Sequence, residues 1–172
     1  LTPTNYSNLL RLSLLSKYGG VWVDATTFCS KPLDHWLPPL MQSGFFVFSK
    51  PKTTVADWIV ATEKGHLLIQ KWASYEYLYW KFAKREGRYF WPHYLFEYLI
   101  LNDKKIRRIW EETPRMNSDG PYAAQRCLKR GGTTDECMNI FLDDNIPLHK
   151  LDWRMKISDD VLNKMKSQLN KS

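Results

Sequence analysis

The stretch from residue 8 to residue 34, NLLRLSLLSKYGGVWVDATTFCSKPLD, constrains the fold more than any other part of the chain. Its first half has the apolar content of an amphipathic helix. We expect Gly19 and Gly20 to end that helix, because glycine adopts the left-handed backbone conformation common at helix C-termini. Residues 21–23 then predict a short buried strand that ends at Asp24. Open α/β sheets bind ligands beyond the carboxyl ends of their strands, so Asp24 is the first candidate for a functional site.

Two polar residues fall among the apolar positions of the predicted helix. At about 100° per residue, Arg11 lies between Tyr18 and Leu15 on the helical wheel. Asn8 lies one turn earlier on the same side. Because a buried charge without a partner is costly, we expect both side chains to be held by a partner or a ligand. An ion pair between Arg11 and Asp24 is one interpretation, and a functional site is the other.

The same stretch resembles a known family. Residues 8–26 are similar to the glycosyltransferase family that includes bacterial capsular polysaccharide synthesis proteins. A wider sugar-transferase group carries the pattern S-D-x-x-R…Y-G-G-x-Y-x-D-x-D, and this chain matches it at Arg11, Tyr18, Gly19, Gly20 and Asp24. Asn8 stands where that group has aspartate, which affects an inferred nucleotide contact. Ala25-Thr26 replaces the end of the D-x-D motif, which affects metal binding.

The resemblance implies a fold, a reaction and a set of site residues. The fold is α/β, of the GT-A or Rossmann-like type, with a mixed sheet flanked by helices. The reaction is a retaining transfer of a hexose from a nucleotide-diphosphate donor, most simply a UDP-sugar. The implied donor-binding residues are Asn8, Arg11, Tyr18, Asp24, Gly120 and Lys150. The implied catalytic carboxylates are Asp24 and Asp119, and the implied Mn²⁺ or Mg²⁺ ligands are Asp24, Thr26 and His149. Apart from the resemblance, carboxylates near the anomeric carbon stabilise the transition state of glycosyl transfer in general, so Asp152 is a further candidate.

The chemistry of these residue types suits that reaction. A leaving diphosphate needs its charge neutralised by a metal ion or by fixed cations, and a carboxylate such as Asp24 is a suitable ligand for Mg²⁺ or Mn²⁺. His149 and Lys150 lie in the sequence PLHKL, which resembles a late stretch of the family. A structural role remains the alternative for His149, and an ordinary helix cap remains the alternative for Asp119.

Composition and charge narrow the partners. The net charge of +7 implies an anionic partner, such as a nucleotide diphosphate, a lipid-linked glycan acceptor or an acidic membrane surface. The basic cluster from Lys104 to Arg108 is either a solvated helix face or a membrane-docking surface. The chain has no GxSxG, P-loop or GxGxxG motif, so the sequence gives a hydrolase or kinase no support. Nucleic acid is not the partner that we expect.

The three cysteines indicate a reduced, cytoplasmic setting. We do not expect Cys127 and Cys137 to pair, since pairing requires a turn at Gly131-Gly132. No apolar run approaches the ~20 residues of a membrane span. Peripheral contact with the inner face of the membrane is left open.

We expect one domain over residues 1–172. The resemblance implies further strands before the first helix, so the chain would be the C-terminal two-thirds of a longer protein. The predicted elements are helices at 3–18, 66–85 (stopped by Gly87), 92–101, from 103, 121–130, from 134 and from 159. The predicted strands are 21–23, a central strand at 45–48, 57–61 and an extended segment at 145–153. Residues 26–34 are predicted as a loop, and 51–54 as a turn.

The sequence therefore predicts a glycosyltransferase that moves a sugar to a polysaccharide or lipid-linked glycan in capsule or surface polysaccharide biosynthesis. Two alternatives remain. One is a basic module that binds nucleic acid or membrane, based on the net charge. The other is a non-catalytic, glycan-binding fragment of the same fold, based on the lost second aspartate.

Overall fold

The computed structural model describes residues 2–50, 54–83, 91–155 and 157–169. The helices are α1 (Pro3–Tyr18), α2 (Leu67–Phe82), α3 (Trp91–Asn102), α4 (Lys104–Glu112), α5 (Ala123–Lys129), α6 (Thr134–Phe141) and α7 (Asp159–Leu169). The strands are β1 (Gly20–Val23), β2 (Thr27–Cys29), β3 (Phe45–Lys50), β4 (Thr54–Thr62) and β5 (Leu148–Lys150). The chain is thus a mixed α/β protein with small sheets flanked by helices, as predicted.

The chain divides into two compact units. The first unit is Leu1–Val23 with Pro39–Met116, and the second is Asp24–Pro38 with Asn117–Ser172. The prediction of a single domain did not include this division. The predicted helix stop at Gly87 and most of the predicted turn at 51–54 lie outside the described residues.

Helix α1 begins and ends where the sequence predicts. The backbone N–H of Asn5 donates to the hydroxyl of Thr2 at 3.3 Å, which caps the first turn. At the other end, Gly19 has φ of +70°, and a Cβ atom there would lie 2.5 Å from the backbone nitrogen of Lys64. Only glycine fits this position, so the chain leaves the helix and enters β1 directly.

The sheet of the first unit has the strand order β1-β4-β3, and both pairings are antiparallel. The prediction that Phe45–Phe48 forms the central strand is wrong, since β4 lies between the other two. Strand β1 is an edge strand rather than a buried one, and Val21 is exposed. Every strand pair among the described residues is antiparallel, whereas the expected mixed sheet also contains parallel pairs.

The core of the first unit lies between this sheet and helices α1 to α4. Trp72 of α2 and Phe96 of α3 meet with ring centroids 4.6 Å apart. The core residues are Leu12, Leu15, Phe45, Val47, Val55, Val60, Leu68, Ile69, Trp72, Phe96, Leu99, Ile106 and Trp110. This core holds α1 in place, which positions Arg11.

The second unit pairs β2 with β5, with Phe28 opposite His149 and Thr27 opposite Lys150. The prediction of a loop at 26–34 is therefore wrong in part, because residues 27–29 form a strand. A smaller core of Ala124, Met138, Phe141, Val161 and Met165 packs beside this pair. The pairing decides which side chains of β5 face the core and which face outward.

Helices α5 and α6 of the second unit are joined by a disulfide between Cys127 and Cys137, with Cα atoms 5.7 Å apart. The prediction that these cysteines do not pair is wrong. Gly131 has φ of +75°, and a Cβ atom on Gly132 would lie 2.5 Å from Sγ of Cys127 and 3.1 Å from Sγ of Cys137. The two glycines therefore make the turn that brings the sulfur atoms together.

Candidate functional site

Three of the predicted site residues come together in the second unit: Asp24, Thr26 and Lys150. Strand β5 places them, because the N–H of Leu151 donates to the carbonyl of Thr26 at 2.8 Å and Lys150 pairs with Thr27 across the strands. Residues far apart in the sequence are thus joined by one short antiparallel pairing. The order of the chain alone does not reveal it.

The Lys150 ammonium is the centre of this group. Its Nζ atom lies 3.5 Å from Oδ2 of Asp24 and donates a hydrogen bond to the hydroxyl of Thr26. The side chains of Lys150 and Asp24 are 14% and 29% exposed, so water and a small ligand can reach the pair. The arrangement offers a cation, a carboxylate and a hydroxyl beside one another.

His149 turns the other way. Its ring is fully buried and packs against Phe28 and Phe141, at centroid distances of 6.2 and 4.9 Å. Alternate side chains of a strand point to opposite faces, so a register that turns Lys150 toward Asp24 turns His149 into the core. Burial lowers the pKa of His149 to about 4, which keeps the ring neutral at pH 7. The structure does not bring His149 to the group at Asp24, and the expectation of a metal ligand there is corrected on this point.

The residues present fit a divalent cation only in part. Across the described ranges, no group of three or more His, Cys, Asp or Glu side chains is placed to hold a metal ion. Asp24 supplies one carboxylate, and Lys150 brings a positive charge beside it. Mg²⁺ is often bound by one or two carboxylates together with substrate phosphates, so this donor set suits a cation that arrives with a diphosphate.

Gly120 lies on the segment that borders this group, whereas Asp119 is turned to solvent. The N–H of Lys150 donates to the carbonyl of Pro121 at 2.9 Å, and Gly120 packs close to Ile146. The carbonyl of Asp119 accepts from Arg126 at 2.8 Å. The prediction that this segment caps a helix at Pro121 is wrong, since α5 begins at Ala123 without a side-chain cap.

An open groove of about 340 Å³ begins at Thr26 and is mostly apolar. Among its lining residues are Phe28, Leu151, Asp152, Trp153, Leu162 and Met165. Asp152 forms an ion pair with Lys129 at 3.0 Å. Its backbone hydrogen bond from Arg154 and its bond from Lys129 lower the pKa of this carboxyl, so Asp152 is an ionised groove residue.

Arg11 belongs to a buried polar cluster in the first unit. Its guanidinium forms an ion pair with Oδ2 of Asp57 in β4, and Nε2 of His93 in α3 lies 3.3 Å from the other carboxylate oxygen. The guanidinium also lies 5.4 Å from the centre of the Trp22 ring. Burial alone would raise the pKa of Asp57, but Arg11 and His93 outweigh it and hold the pKa well below its usual range.

Glu76 of α2 is the most unusual member of this unit. The side chain is fully buried, and within the described residues neither carboxylate oxygen has a hydrogen-bond partner. Burial raises the pKa of Glu76 to about 8, with the Arg11 charge opposing and the Asp57 charge adding to the shift. Glu76 is therefore mostly protonated at pH 7.

The remaining predicted nucleotide residues differ in exposure. Asn8 is buried on α1, as predicted. Tyr18 is exposed, with the Lys17 ammonium 5.0 Å from the centre of its ring. Leu10 and Leu14, which the helical wheel groups with Tyr18, are also exposed.

Sequence reasoning missed Asp57, His93 and Glu76. Asp57 carried a signal, since it is the only carboxylate in the run TVADWIVAT. A charge in the middle of such a run needs a buried partner, and Arg11 is that partner. Glu76 also carried a signal, because it lies four residues after Trp72 and eight after Leu68, on the buried side of α2.

Comparison with protein families adds to this geometry. The chain belongs to the capsular polysaccharide synthesis protein family, whose sequence pattern matches residues 1–169. Comparison with curated proteins and with solved structures gave no match. The family connects the protein to capsule biosynthesis. Within the described part of the chain, no helix is both long enough and apolar enough to cross a membrane.

Proposed function

We propose that this protein is a glycosyltransferase of the GT-A type that transfers a hexose from a nucleotide-diphosphate donor during capsule biosynthesis. One observation carries the proposal: Lys150 comes together with Asp24 and Thr26, at the end of the segment that resembles the sugar transferases, in a partly exposed group. A diphosphate is a dianion or stronger, and fixed ammonium groups are effective partners for it. Membership of the family supports a biosynthetic role.

In the proposed reaction, Lys150 contacts the leaving diphosphate and offsets the charge that develops on it. An acceptor hydroxyl forms the new bond to the anomeric carbon as the bond to the phosphate oxygen breaks. The departing phosphate oxygen takes the proton of the acceptor hydroxyl, so no protein base is needed. Charge stabilisation by preorganised groups is commonly the largest catalytic contribution.

Asp24 has two roles open to it in this proposal. It holds the Lys150 ammonium in position at 3.5 Å, and it offers one carboxylate to a Mg²⁺ or Mn²⁺ ion that enters with the donor. Such an ion would add Lewis-acid stabilisation of the diphosphate. Asn8, Arg11, Tyr18 and Gly120 remain predicted donor-binding residues, and Asp119 remains a predicted catalytic carboxylate.

The groove that begins at Thr26 suits an acceptor. Its aromatic and aliphatic lining, with Trp153 at one edge and the ionised Asp152 beside it, resembles sites that bind sugar rings by stacking and hydrogen bonding. We propose that a polysaccharide or lipid-linked glycan lies here during transfer.

The test is a calorimetric titration of UDP-glucose into the protein, with and without Mn²⁺. We expect saturable binding that weakens at least about tenfold in Lys150→Gln and in Asp24→Asn, since each loses a charge-assisted contact. The matched control is Lys164→Gln, because Lys164 also pairs with an aspartate, Asp135 at 3.1 Å, elsewhere in the same unit. A set of other sugar nucleotides extends the titration if UDP-glucose is the wrong donor.

Unchanged affinity in both site variants would remove the Asp24–Lys150 group from donor binding. Absence of binding to every sugar nucleotide, together with binding of glycan oligomers, would favour the non-catalytic interpretation. Binding of polyanions with no preference for sugar nucleotides would favour the basic-module interpretation.

A further inference from the structure

Helices α2 and α3 of the first unit carry two adjoining rows of large apolar side chains, of which all but the partly buried Tyr75 are exposed. Tyr75, Leu78 and Phe82 recur along one side of α2, and Tyr94, Tyr98 and Leu101 recur along one side of α3. The rows meet where the rings of Tyr75 and Tyr98 lie 6.0 Å apart. We call these six residues the α2–α3 face.

The exposure of this face is large. Phe82 is 76% exposed, Leu101 68% and Tyr98 52%. Single exposed apolar residues are normal in proteins, but contiguous apolar patches mark interaction surfaces. Tyrosine also has an apolar ring and a polar tip, which suits the boundary between hydrocarbon and water.

Basic residues border one end of the α2–α3 face. Lys71 of α2 lies 3.9 Å from Asp103, the N-cap of α4, so the first turn of α4 lies beside this end. Lys104 and Lys105 are exposed there, and neither forms an ion pair in the part of the chain that the structure describes.

The other two members of the predicted basic cluster are engaged. Arg107 donates to the carbonyls of Ile100 and Leu101 at the end of α3, and Arg108 pairs with Glu112 at 3.0 Å. The cluster is therefore part helix cap and part exposed charge. The two lysines are the members available to an external anion.

Charge is divided unequally between the units. The first unit contains fifteen lysines and arginines against eight aspartates and glutamates, whereas the second unit contains ten of each. The whole net charge of +7 thus belongs to the unit that carries the α2–α3 face. The apolar patch and the electrostatic attraction for anions reside in the same compact unit.

We propose that the α2–α3 face docks on the surface of a bilayer that contains anionic lipids, with Lys104 and Lys105 against the headgroups. Peripheral membrane binding combines burial of apolar side chains with attraction to anionic lipids, and this face supplies both. A second copy of the chain fits this face less well, because each copy would bring a first unit with a net charge of +7, and the two charges repel one another. A nucleic acid would leave Leu78, Phe82 and Leu101 without a suitable contact, since its affinity comes from phosphates.

The test is co-sedimentation of the full chain with vesicles of phosphatidylcholine alone or with about a third phosphatidylglycerol. We expect binding to the anionic vesicles that falls as salt is raised. The double variant Lys104→Glu/Lys105→Glu should reduce that binding at least about tenfold. The double variant Tyr98→Ser/Leu101→Ser should also reduce it about tenfold, at low and at high salt alike.

Two control variants in the second unit match these changes. Leu142→Ser removes an apolar side chain that is 49% exposed, and Lys166→Glu reverses an exposed lysine. Both should bind the anionic vesicles as the wild type does. All substitutions are at surface positions, so thermal unfolding is expected to match that of the wild type and reports any misfolded variant.

Three results would overturn the proposal. The first is equal vesicle binding by the wild type and by both double variants. The second is no vesicle binding together with a dimer, seen by light scattering, that Tyr98→Ser/Leu101→Ser dissociates. The third is tighter binding to duplex DNA than to vesicles, unaffected by Tyr98→Ser/Leu101→Ser. The proposal stands apart from donor binding, since the UDP-glucose titration tests other residues.

Discussion

Each unit places a cation beside a carboxylate, Arg11 with Asp57 in the first and Lys150 with Asp24 in the second. The first pair lies in a core with His93 close by, and its side chains are 6% and 18% exposed. The second pair lies at the edge of a two-stranded sheet and is more exposed, at 14% for Lys150 and 29% for Asp24. The sequence alone does not distinguish the two pairs, because the stretch that resembles the sugar transferases contains one residue of each, Arg11 and Asp24.

The difference teaches that surroundings decide what such a pair can do. A buried pair is expensive to break, because either partner alone keeps an uncompensated charge away from water. A partly exposed pair is partly hydrated, so its ammonium can also contact an anionic ligand at smaller cost. We therefore expect Arg11 and Asp57 to stabilise the first unit, whereas Lys150 is the cation to which the proposed function assigns a contact with the diphosphate.

The strongest test of this contrast is Asp57→Ala. The substitution leaves the Arg11 guanidinium buried without its carboxylate, and loss of one partner of a buried pair costs about 3–5 kcal/mol. We expect a lower midpoint in urea unfolding followed by tryptophan fluorescence. An equal loss in Asp24→Ala would show that the two pairs are not different in kind.

Glu76→Gln tests the effect of burial in the first unit through the pH dependence of stability. The folded pKa of Glu76 is raised to about 8 from the ordinary value of 4.5, so the folded state holds a proton that the unfolded state releases. The contribution of Glu76 to wild-type stability is then fully present below about pH 4.5 and is lost as pH rises through 8, by up to about 1.4 kcal/mol per unit. The variant should lack this fall, and should be more stable than the wild type by roughly 2–4 kcal/mol at pH 8–9. Unfolding free energies of the two proteins between pH 5 and 9 provide the measurement, and parallel curves would contradict it.

Reduction of the disulfide tests the second unit by itself. A bridge that spans ten residues contributes about 2–4 kcal/mol, so dithiothreitol or Cys127→Ser should destabilise the second unit by that amount. Hydrogen exchange should rise in α5 and α6 and stay unchanged in α2 and α3. Exchange that rises equally in both units would contradict this expectation.

The smallest expected effect on stability is that of Asp24→Asn. A partly exposed ion pair is worth about 0–1 kcal/mol, so the urea midpoint should change little even though donor binding weakens. Asn preserves the shape and most of the polar contacts of Asp, which separates charge from packing. A loss of stability comparable to that in Asp57→Ala would make the Asp24–Lys150 pair structural.

Local signals explain what the sequence predicts well. Thr2 and Pro3 start α1, and Gly19 ends it, because caps and positive φ depend on residues close in the chain. Asp103 and Thr133 cap α4 and α6 for the same reason. The inward direction of Asn8 and Arg11 follows from helical spacing and is confirmed.

Long-range pairing explains what the sequence does not predict. The apolar run at Phe45–Phe48 is buried on both faces even though β3 lies at one end of the strand order β1-β4-β3, so burial on both faces did not make it the central strand. The orientation of His149 depends on its register with β2, a strand only three residues long. Asp24, Thr26 and Lys150 were each predicted, but their assembly depends on that same pairing.

Gly132 has a consequence for how this sequence can change over time. Its missing side chain leaves room for both sulfur atoms, so any larger residue there would collide with the bond between α5 and α6. We therefore expect positions 127, 132 and 137 to change together in evolution. A larger residue can replace Gly132 without a clash only after one of the two cysteines has been lost. We expect relatives that lack this disulfide to vary at all three positions together, in a turn far along the chain from the sugar-transferase pattern.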